Sequence, residues 1–235
     1  MYGTFRIPVE FVSGDLSLSV KEIDQDYRYV RQSGGERVEK ILTSHDETVI
    51  INPVEPVNLP DGLTRYLELE FEPVVLQPGS RSVFFLKFPV EIGVFLKKGD
   101  LYDVLDIISL VRTKYSLYGL PENGILTRWY RSPIYRSIPE TDKFREGVMQ
   151  LTMVNSGTNW IEVSRAVFES TGMHLFYGNF VAMNATMEIF NPKLAVTRFS
   201  KQPFSGGMTP SLDLYVARNI PIVKQSRQVM EHGVV

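Results

Sequence analysis

The densest apolar stretch of the chain, residues 83–97 (VFFLKFPVEIGVFLK), constrains the fold more than any other segment. Pro89, Glu91 and Gly93 interrupt it where a helix would need continuity. Apolar side chains alternate on both sides of Pro89, which predicts two buried β-strands. A transmembrane helix needs about 20 apolar residues without internal charge, and Lys87 and Glu91 lie near the middle of this stretch. The stretch therefore predicts the core of a β-sandwich and no insertion into a membrane.

The same alternation recurs in short segments along most of the chain. The clearest example is residues 67–72 (LELEFE), for which we expect a core face and a solvated acidic face. Turn signals rich in Gly, Pro, Asp and Ser separate segments of about 6 to 10 residues, a spacing typical of antiparallel sandwiches and barrels. Residues 101–111 also fit helical spacing, but their β-branched side chains favour a strand. A final strand is predicted at residues 212–217. The fold class is therefore all-β, with little helix.

Acidic and basic residues are divided unevenly along the chain. Residues 1–111 carry 11 Lys and Arg against 18 Asp and Glu, whereas residues 112–235 carry 14 against 9. Such asymmetry is typical of two domains with different partners, or of two halves that attract each other across an interface, and we favour the interface. A segment rich in Pro, Gly and Ser lies between the halves. We predict two antiparallel β-sandwich-like halves, residues 1–119 and 143–235, joined by a connecting segment at 120–142.

Composition limits the compartment and the classes of partner. The chain has no cysteine, which excludes disulfides, thiolate metal sites and a cysteine nucleophile. Residues 4–12 already read as a strand, so no secretory signal is expected, and we predict a cytoplasmic protein. A pI near 6.0 gives no global attraction to a polyanion, which makes nucleic acid an unfavoured partner.

No motif of any specificity for catalysis, metal binding or nucleotide binding occurs in the sequence. The three histidines, His45, His174 and His232, lack the spacing of metal ligands and are expected in surface loops or on a strand face. Alternating carboxylates at residues 22–26 and 68–72 could serve glycoside hydrolysis or calcium binding, but a solvated strand face is the favoured interpretation. The sequence therefore predicts no cofactor, and it favours a protein that is not an enzyme.

One segment combines positive charge with aromatic rings. Residues 112–137 contain five basic residues against Glu122 alone, with tyrosines and a tryptophan interleaved. Arginine beside aromatic rings suits stacking and phosphate pairing, but it also concentrates binding energy at protein contacts. We rank packing between the halves first, a partner or ligand surface second and nucleic acid third. The candidate binding residues are Arg128, Trp129, Tyr130, Arg131 and Tyr135.

Three short segments resemble a known family. Residues 88–92 (FPVEI), 114–119 (KYSLYG) and 128–132 (RWYRS) are similar to a family of uncharacterised archaeal proteins, known only as a domain of unknown function, which covers most of the chain. The resemblance implies a cytoplasmic archaeal protein. It implies no activity, cofactor or catalytic residue.

Three functional hypotheses remain open. The favoured one is a non-catalytic binding or assembly module whose contact surface includes Trp129, Tyr130, Arg131 and Tyr135. The alternative is a small-molecule or carbohydrate site, with or without catalysis, in the cleft between the halves; Arg128 or Arg131 would hold an anionic group and Trp129 would stack. The third is homo-oligomerisation through an edge strand, since open sandwiches have edges that must be covered.

Overall fold

The computed structural model describes residues 2–43, 48–99 and 101–214, and β-strands dominate it. Within these ranges eighteen strands are numbered in chain order: β1 (Gly3–Arg6), β2 (Val9–Ser13), β3 (Leu16–Ile23), β4 (Asp26–Ser33), β5 (Glu36–Leu42), β6 (Thr48–Val54), β7 (Tyr66–Leu76), β8 (Arg81–Pro89), β9 (Glu91–Lys98), β10 (Leu101–Ser109), β11 (Tyr115–Tyr118), β12 (Ile125–Arg131), β13 (Glu146–Asn155), β14 (Ile161–Glu169), β15 (Phe176–Tyr177), β16 (Val181–Asn191), β17 (Leu194–Phe199) and β18 (Thr209–Pro210). One short 3-10 turn, Ser170–Gly172, follows β14. The prediction of an all-β fold with little helix is confirmed. Across these same ranges no helix has the length and apolar character needed to cross a membrane.

The strands form four sheets. The first sheet has the order β1-β6-β9-β10, and the second is the meander β2-β3-β4-β5. The third sheet, called the hairpin sheet below, has the order β11-β12-β7-β14. The fourth, called the central sheet, has the order β18-β15-β16-β13-β8, with β17 also paired to β16. Most pairs are antiparallel, but β12 runs parallel to β7 and β13 runs parallel to β16. Parallel pairs require crossover connections, which alternation within a strand does not reveal.

The apolar stretch at residues 83–97 forms two strands that belong to different sheets. β8 lies at one edge of the central sheet, and β9 lies between β6 and β10. Phe84, Leu86 and Phe88 are buried on one face of β8, as the alternation predicts. In β9 both Val94 and Phe95 are fully buried, because this strand has apolar neighbours on both of its faces.

Hydrogen bonding crosses the predicted connecting segment. β13 pairs with β8, β14 pairs with β7, and β12, which lies inside residues 120–142, also pairs with β7. One apolar core contains residues from Tyr2 to Ala195. The predicted division into residues 1–119 and 143–235 therefore does not coincide with a gap in strand pairing, and as a statement about domains it remains a prediction.

Ion pairs also join the acidic first part of the chain to the basic remainder. Three of them link Glu91 to Arg128, Glu68 to Arg165, and Asp15 to Arg145. These contacts are the kind that complementary charge between two parts of a chain predicts.

Two predicted strands differ from the structure. The segment at residues 4–12 divides into β1 and β2, with a cis peptide bond at Ile7–Pro8 between them. The predicted strand at 212–217 is wrong within the described residues, since Leu212 and Asp213 lie outside any strand and Leu214 is helical. The Leu212 amide donates to the Asn52 side chain (3.1 Å) instead of joining a strand ladder. Residues 215–217 lie outside the described ranges. The strand predicted at 101–111 is confirmed as β10, which ends two residues earlier, at Ser109.

Candidate functional site

The five candidate residues do not share one surface, because most of them lie on β12 and successive side chains of a strand point to opposite faces. Arg128 is buried at 1% exposure, and Tyr130 packs against the core. Trp129 is half-buried on the opposite face, and Arg131 is exposed. Tyr135 is half-buried and forms an isolated antiparallel bridge with Phe85 of β8.

Trp129 is held by polar contacts on the outer face of the hairpin sheet. Its indole Nε1 donates to Glu70 Oε2 at 3.0 Å, and the Lys114 ammonium lies 5.4 Å from the centre of its ring. This distance is within the range of a cation–π interaction. Among the described residues Arg131 forms no ion pair. Trp129 and Arg131 are thus the two predicted residues that a partner on this face could contact.

Tyr130 and Tyr135 instead fasten the connecting segment to the central sheet. The Tyr130 hydroxyl donates to the Glu146 carboxylate, which also accepts from Lys87 Nζ at 3.1 Å. Burial, reinforced by Glu146, raises the pKa of Tyr130, so its hydroxyl stays protonated near neutral pH. Lys87 also lies 6.0 Å from the centre of the Tyr135 ring. Both tyrosines therefore make contacts within the protein, to Glu146, Lys87 and β8.

Arg128 forms a buried ion pair beneath the hairpin sheet. Its guanidinium donates to the Glu91 carboxylate and the Pro56 carbonyl, and it lies 3.2 Å from Ser109 Oγ. The second Glu91 oxygen accepts from both nitrogens of Asn58 at 3.1 Å. Burial raises the pKa of Glu91, and Arg128 opposes that shift. Because Arg128 is enclosed, it positions the loop at residues 55–65 against the hairpin sheet and does not itself reach a surface.

The acidic face predicted at residues 68–72 is only partly solvated. Glu72 is exposed, but Glu68 is fully buried, and the expectation of a solvated side chain is wrong there. Glu68 accepts from the Thr127 hydroxyl at 2.7 Å and lies 3.5 Å from the Arg165 guanidinium. Trp129 is the residue opposite Glu68 in the parallel register, so a bulky ring lies beside it.

Exposed apolar side chains concentrate on the hairpin formed by β11 and β12. Fourteen large apolar residues of the described ranges are exposed, and six of them lie on this hairpin or on the loop facing it. We call these six residues the hairpin patch: Leu63, Tyr115, Leu117, Leu120, Ile125 and Leu126. Leu117 is 47% exposed and lies directly opposite Leu126 in the strand register. Clustered exposed apolar residues mark interaction surfaces, whereas single ones are ordinary.

A groove of 480 Å³ opens beside the hairpin patch. The loop at residues 57–66 forms one wall and the start of β12 forms the other. The Thr64 hydroxyl donates to the Leu126 carbonyl at 2.5 Å, which joins the two walls. Asn58 lies in the lining and also binds Glu91, so the buried ion pair holds the groove in shape.

The histidines give no metal site within the part of the chain that the structure describes. His174 lines a separate cavity, and no three His, Asp or Glu side chains of the described residues are arranged to hold a metal ion. His45 and His232 lie outside the described residues.

Comparison with known protein families identifies a matching family. The model of a family described as "Protein of unknown function (DUF432)" matches residues 1–231. The chain belongs to this family. The matched DUF432 region contains the first predicted half, all but the last four residues of the second, the hairpin patch and the buried ion pair. The resemblance to a domain of unknown function is confirmed. No curated protein and no solved structure matches the chain significantly.

Sequence reasoning missed the hairpin patch in this DUF432 protein. The available signal is residues 117–126 (LYGLPENGIL), in which apolar residues stand on both sides of a turn rich in Gly and Pro. Short strands that flank a turn usually bury one face, so this pattern by itself predicts core. These apolar side chains are exposed because the hairpin lies at the end of a sheet, which the sequence pattern does not show.

Proposed function

We propose that this DUF432 protein is a non-catalytic assembly module that pairs with a second copy through β11 and the hairpin patch. The observation that carries the proposal is that β11 ends the hairpin sheet while the same strand exposes Leu117. A free strand edge with exposed apolar side chains is a template for another strand, and natural proteins usually cover or block such an edge.

Charge favours a second copy as the partner. Antiparallel pairing of β11 with itself about a two-fold axis places the start of one strand beside the end of the other. Arg112 and Lys114 precede β11, Glu122 follows it, and all three are exposed. Each copy therefore brings basic residues toward Glu122 of the other copy, which makes the surface self-complementary.

The apolar contribution is of the size that a weak dimer requires. Leu117, Leu120 and Leu126 are between 38% and 51% exposed, so pairing would bury roughly half of each side chain. Full burial of a leucine contributes about 1.5–3 kcal/mol, and association costs about 4–15 kcal/mol. Six leucines across the two copies, each burying its exposed half, therefore contribute roughly 4–9 kcal/mol, which is similar to the association cost, so the new backbone hydrogen bonds decide the net affinity and a weak dimer is expected.

Two of the predicted contact residues lie beside β11 but on the sheet face opposite Leu117 and Leu126. Trp129 lies in the strand next to β11 and contacts Lys114, and Arg131 is exposed on the same face. We therefore expect Trp129 and Arg131 to affect affinity less than the apolar centre at Leu117 and Leu126 does. The pI near 6.0 does not favour nucleic acid, and the absence of cysteine supports a cytoplasmic location.

Replacing Leu117 with aspartate is expected to abolish self-association. The substitution places two carboxylates at the centre of the proposed interface, so we expect the dimer to weaken by about 100-fold or more. Sedimentation velocity over a concentration series measures this directly. The matched control is Ile138→Asp, because Ile138 is 49% exposed and lies outside the hairpin formed by β11 and β12.

A charge exchange tests the pairing direction. Glu122→Arg should weaken the dimer by about tenfold, and Arg112→Glu in the same chain should restore it.

A wild-type protein that stays monomeric at about 500 μM would refute the proposal. Equal weakening by Leu117→Asp and Ile138→Asp would refute the location.

A further inference from the structure

A loop lies across the outer face of the central sheet. Residues 203–208, called the strap below, lead into β18, and one of their side chains, Phe204, is half-buried. The centre of the Phe204 ring lies 6.0 Å from that of Phe85 in β8 and 5.7 Å from that of Phe180, which immediately precedes β16. Both pairs have the edge-to-face arrangement that aromatic rings prefer. Because β13 lies between β8 and β16, the Phe204 ring spans β13.

The sheet face beneath Phe204 is apolar and closed to solvent. Val148 of β13 lies opposite Ala182 of β16, and both are fully buried. Neither belongs to the main apolar core, which takes the alternate residues of both strands on the other face of the sheet. The space that the Phe204 ring occupies, called the aromatic slot below, is therefore bounded by four apolar side chains: Val148, Ala182, Phe85 and Phe180.

The strap is attached to the sheet mainly through this one ring. Across the described ranges no hydrogen bond joins residues 203–208 to another part of the chain. Gly206 and Gly207 are exposed, and Gly207 has a φ of +83°, a conformation that glycine adopts without strain. A segment with few hydrogen bonds and little burial opens at a low cost in free energy. Withdrawal of Phe204 is therefore expected to leave the rest of the fold intact.

A hydrogen-bond acceptor lies at the end of the slot. Asn184 is two residues beyond Ala182 on the same face of β16, about 7 Å along the strand. Its Nδ2 donates to the Gln202 carbonyl at 3.3 Å, whereas its Oδ1 is buried and accepts no hydrogen bond from the described residues. The Phe204 side chain has no donor for this oxygen. A ring that carries an O–H or N–H group would fill the same space and also satisfy Asn184.

We infer that the aromatic slot binds a small aromatic molecule with an O–H or N–H donor, and that Phe204 occupies the slot in the free protein as an internal competitor. Such a ligand replaces the two edge-to-face contacts of Phe204 and adds a hydrogen bond to Asn184 Oδ1. A neutral ring is favoured over a charged one, because the four side chains that bound the slot are apolar. Binding releases the strap, so occupancy of the slot is coupled to the position of residues 203–208.

Fluorine NMR with 4-fluorophenol as the probe tests the competition. Phe204→Ala empties the slot, so we expect this variant to bind the probe with a dissociation constant of about 1 mM or tighter. The wild type should bind it at least about tenfold more weakly, because Phe204 must first leave. Phe190→Ala, which truncates an exposed ring at the far end of β16, should behave as the wild type. Equal affinities of the wild type and Phe204→Ala would overturn the inference, as would the absence of binding to Phe204→Ala at about 10 mM probe.

Asn184→Ala tests the hydrogen bond. In the Phe204→Ala background, fluorobenzene, which lacks the hydroxyl, should bind about tenfold more weakly than 4-fluorophenol. Asn184→Ala should remove this difference, and Asn123→Ala, which changes an exposed asparagine of the hairpin turn, should preserve it. A difference that persists in Asn184→Ala would overturn the assignment of Asn184 as the acceptor.

Proteolysis of the wild type gives a measurement that needs no substitution. Chymotrypsin cleaves after aromatic residues, and Phe204 is protected while its ring lies in the slot. About 20 mM 4-fluorophenol should therefore raise the rate of cleavage after Phe204 at least about threefold relative to cleavage after Phe190, as measured by mass spectrometry. A ligand that binds elsewhere would leave this ratio unchanged, and an unchanged ratio would overturn the role of Phe204 as a competitor.

Discussion

Arg128→Met is expected to lower the free energy of unfolding by about 3–5 kcal/mol, because it leaves the buried Glu91 carboxylate without its cation. Arg128 is 1% exposed and Glu91 is fully buried, so water cannot replace the lost partner. Urea unfolding at pH 8, followed by circular dichroism, measures the change. The matched control is Arg37→Met, since Arg37 pairs with Glu39 on the surface and such pairs contribute about 1 kcal/mol or less.

The loss in Arg128→Met should be smaller at low pH. Burial raises the pKa of Glu91, and removal of Arg128 takes away the charge that opposes this rise. A carboxyl whose folded pKa is raised costs stability as the pH rises through that pKa, and the cost falls when the folded state takes up the proton. The difference from wild type should therefore be smaller at pH 5 than at pH 8. A loss below about 1 kcal/mol with no pH dependence would contradict the assigned role of the pair.

Glu91→Gln in the Arg128→Met background separates charge from packing. The amide oxygen can still accept from Asn58, and no uncompensated charge remains, so more than half of the lost stability should return. If the double variant is as unstable as Arg128→Met, the defect arises from lost packing around the guanidinium.

Phe88→Ala is expected to destabilise the fold by about 3–5 kcal/mol, because the Phe88 side chain of β8 is fully buried. Its ring covers Gly147, the residue opposite it in the register. A Cβ atom at Gly147 would lie only 2.5 Å from the ring. Thermal or urea unfolding gives the value. Phe190→Ala is the matched control, since Phe190 is 38% exposed and its truncation should cost about 1 kcal/mol or less.

Gly147→Ala tests the same contact from the opposite strand. In the wild-type background the added methyl group overpacks the site and should cost about 1–3 kcal/mol. In the Phe88→Ala background the space is free, so the added cost should largely vanish. Additive effects of the two substitutions would show that the ring does not limit residue 147.

The hairpin patch exposes apolar side chains at a strand edge, which suits contact with another chain. The buried pair of Glu91 and Arg128 supports this contact, because it holds the loop at residues 55–65 that faces the hairpin.

The sequence by itself determined the strand content and much of the core. Alternation at residues 83–88 correctly assigned Phe84, Leu86 and Phe88 to a buried face, because side-chain direction in a strand depends only on neighbouring positions. The sequence also shows directly that its histidines lack the spacing of metal ligands and that residues 1–111 are acidic whereas residues 112–235 are basic. These properties are local or additive, so they do not depend on how the strands pair.

Only the tertiary structure decided which strands are neighbours. It thereby decided which of the candidate side chains are buried and which are accessible. Arg128 and Trp129 are adjacent in sequence, yet one is enclosed by Glu91 and Pro56 while the other remains accessible. The cavity unites His174, Lys201 and Asp213, which no spacing in the sequence connects. Exposure of Leu117 and burial of Glu68 likewise depend on which strand ends a sheet and which residue lies opposite. Long-range pairing sets these outcomes, and alternation carries no information about it.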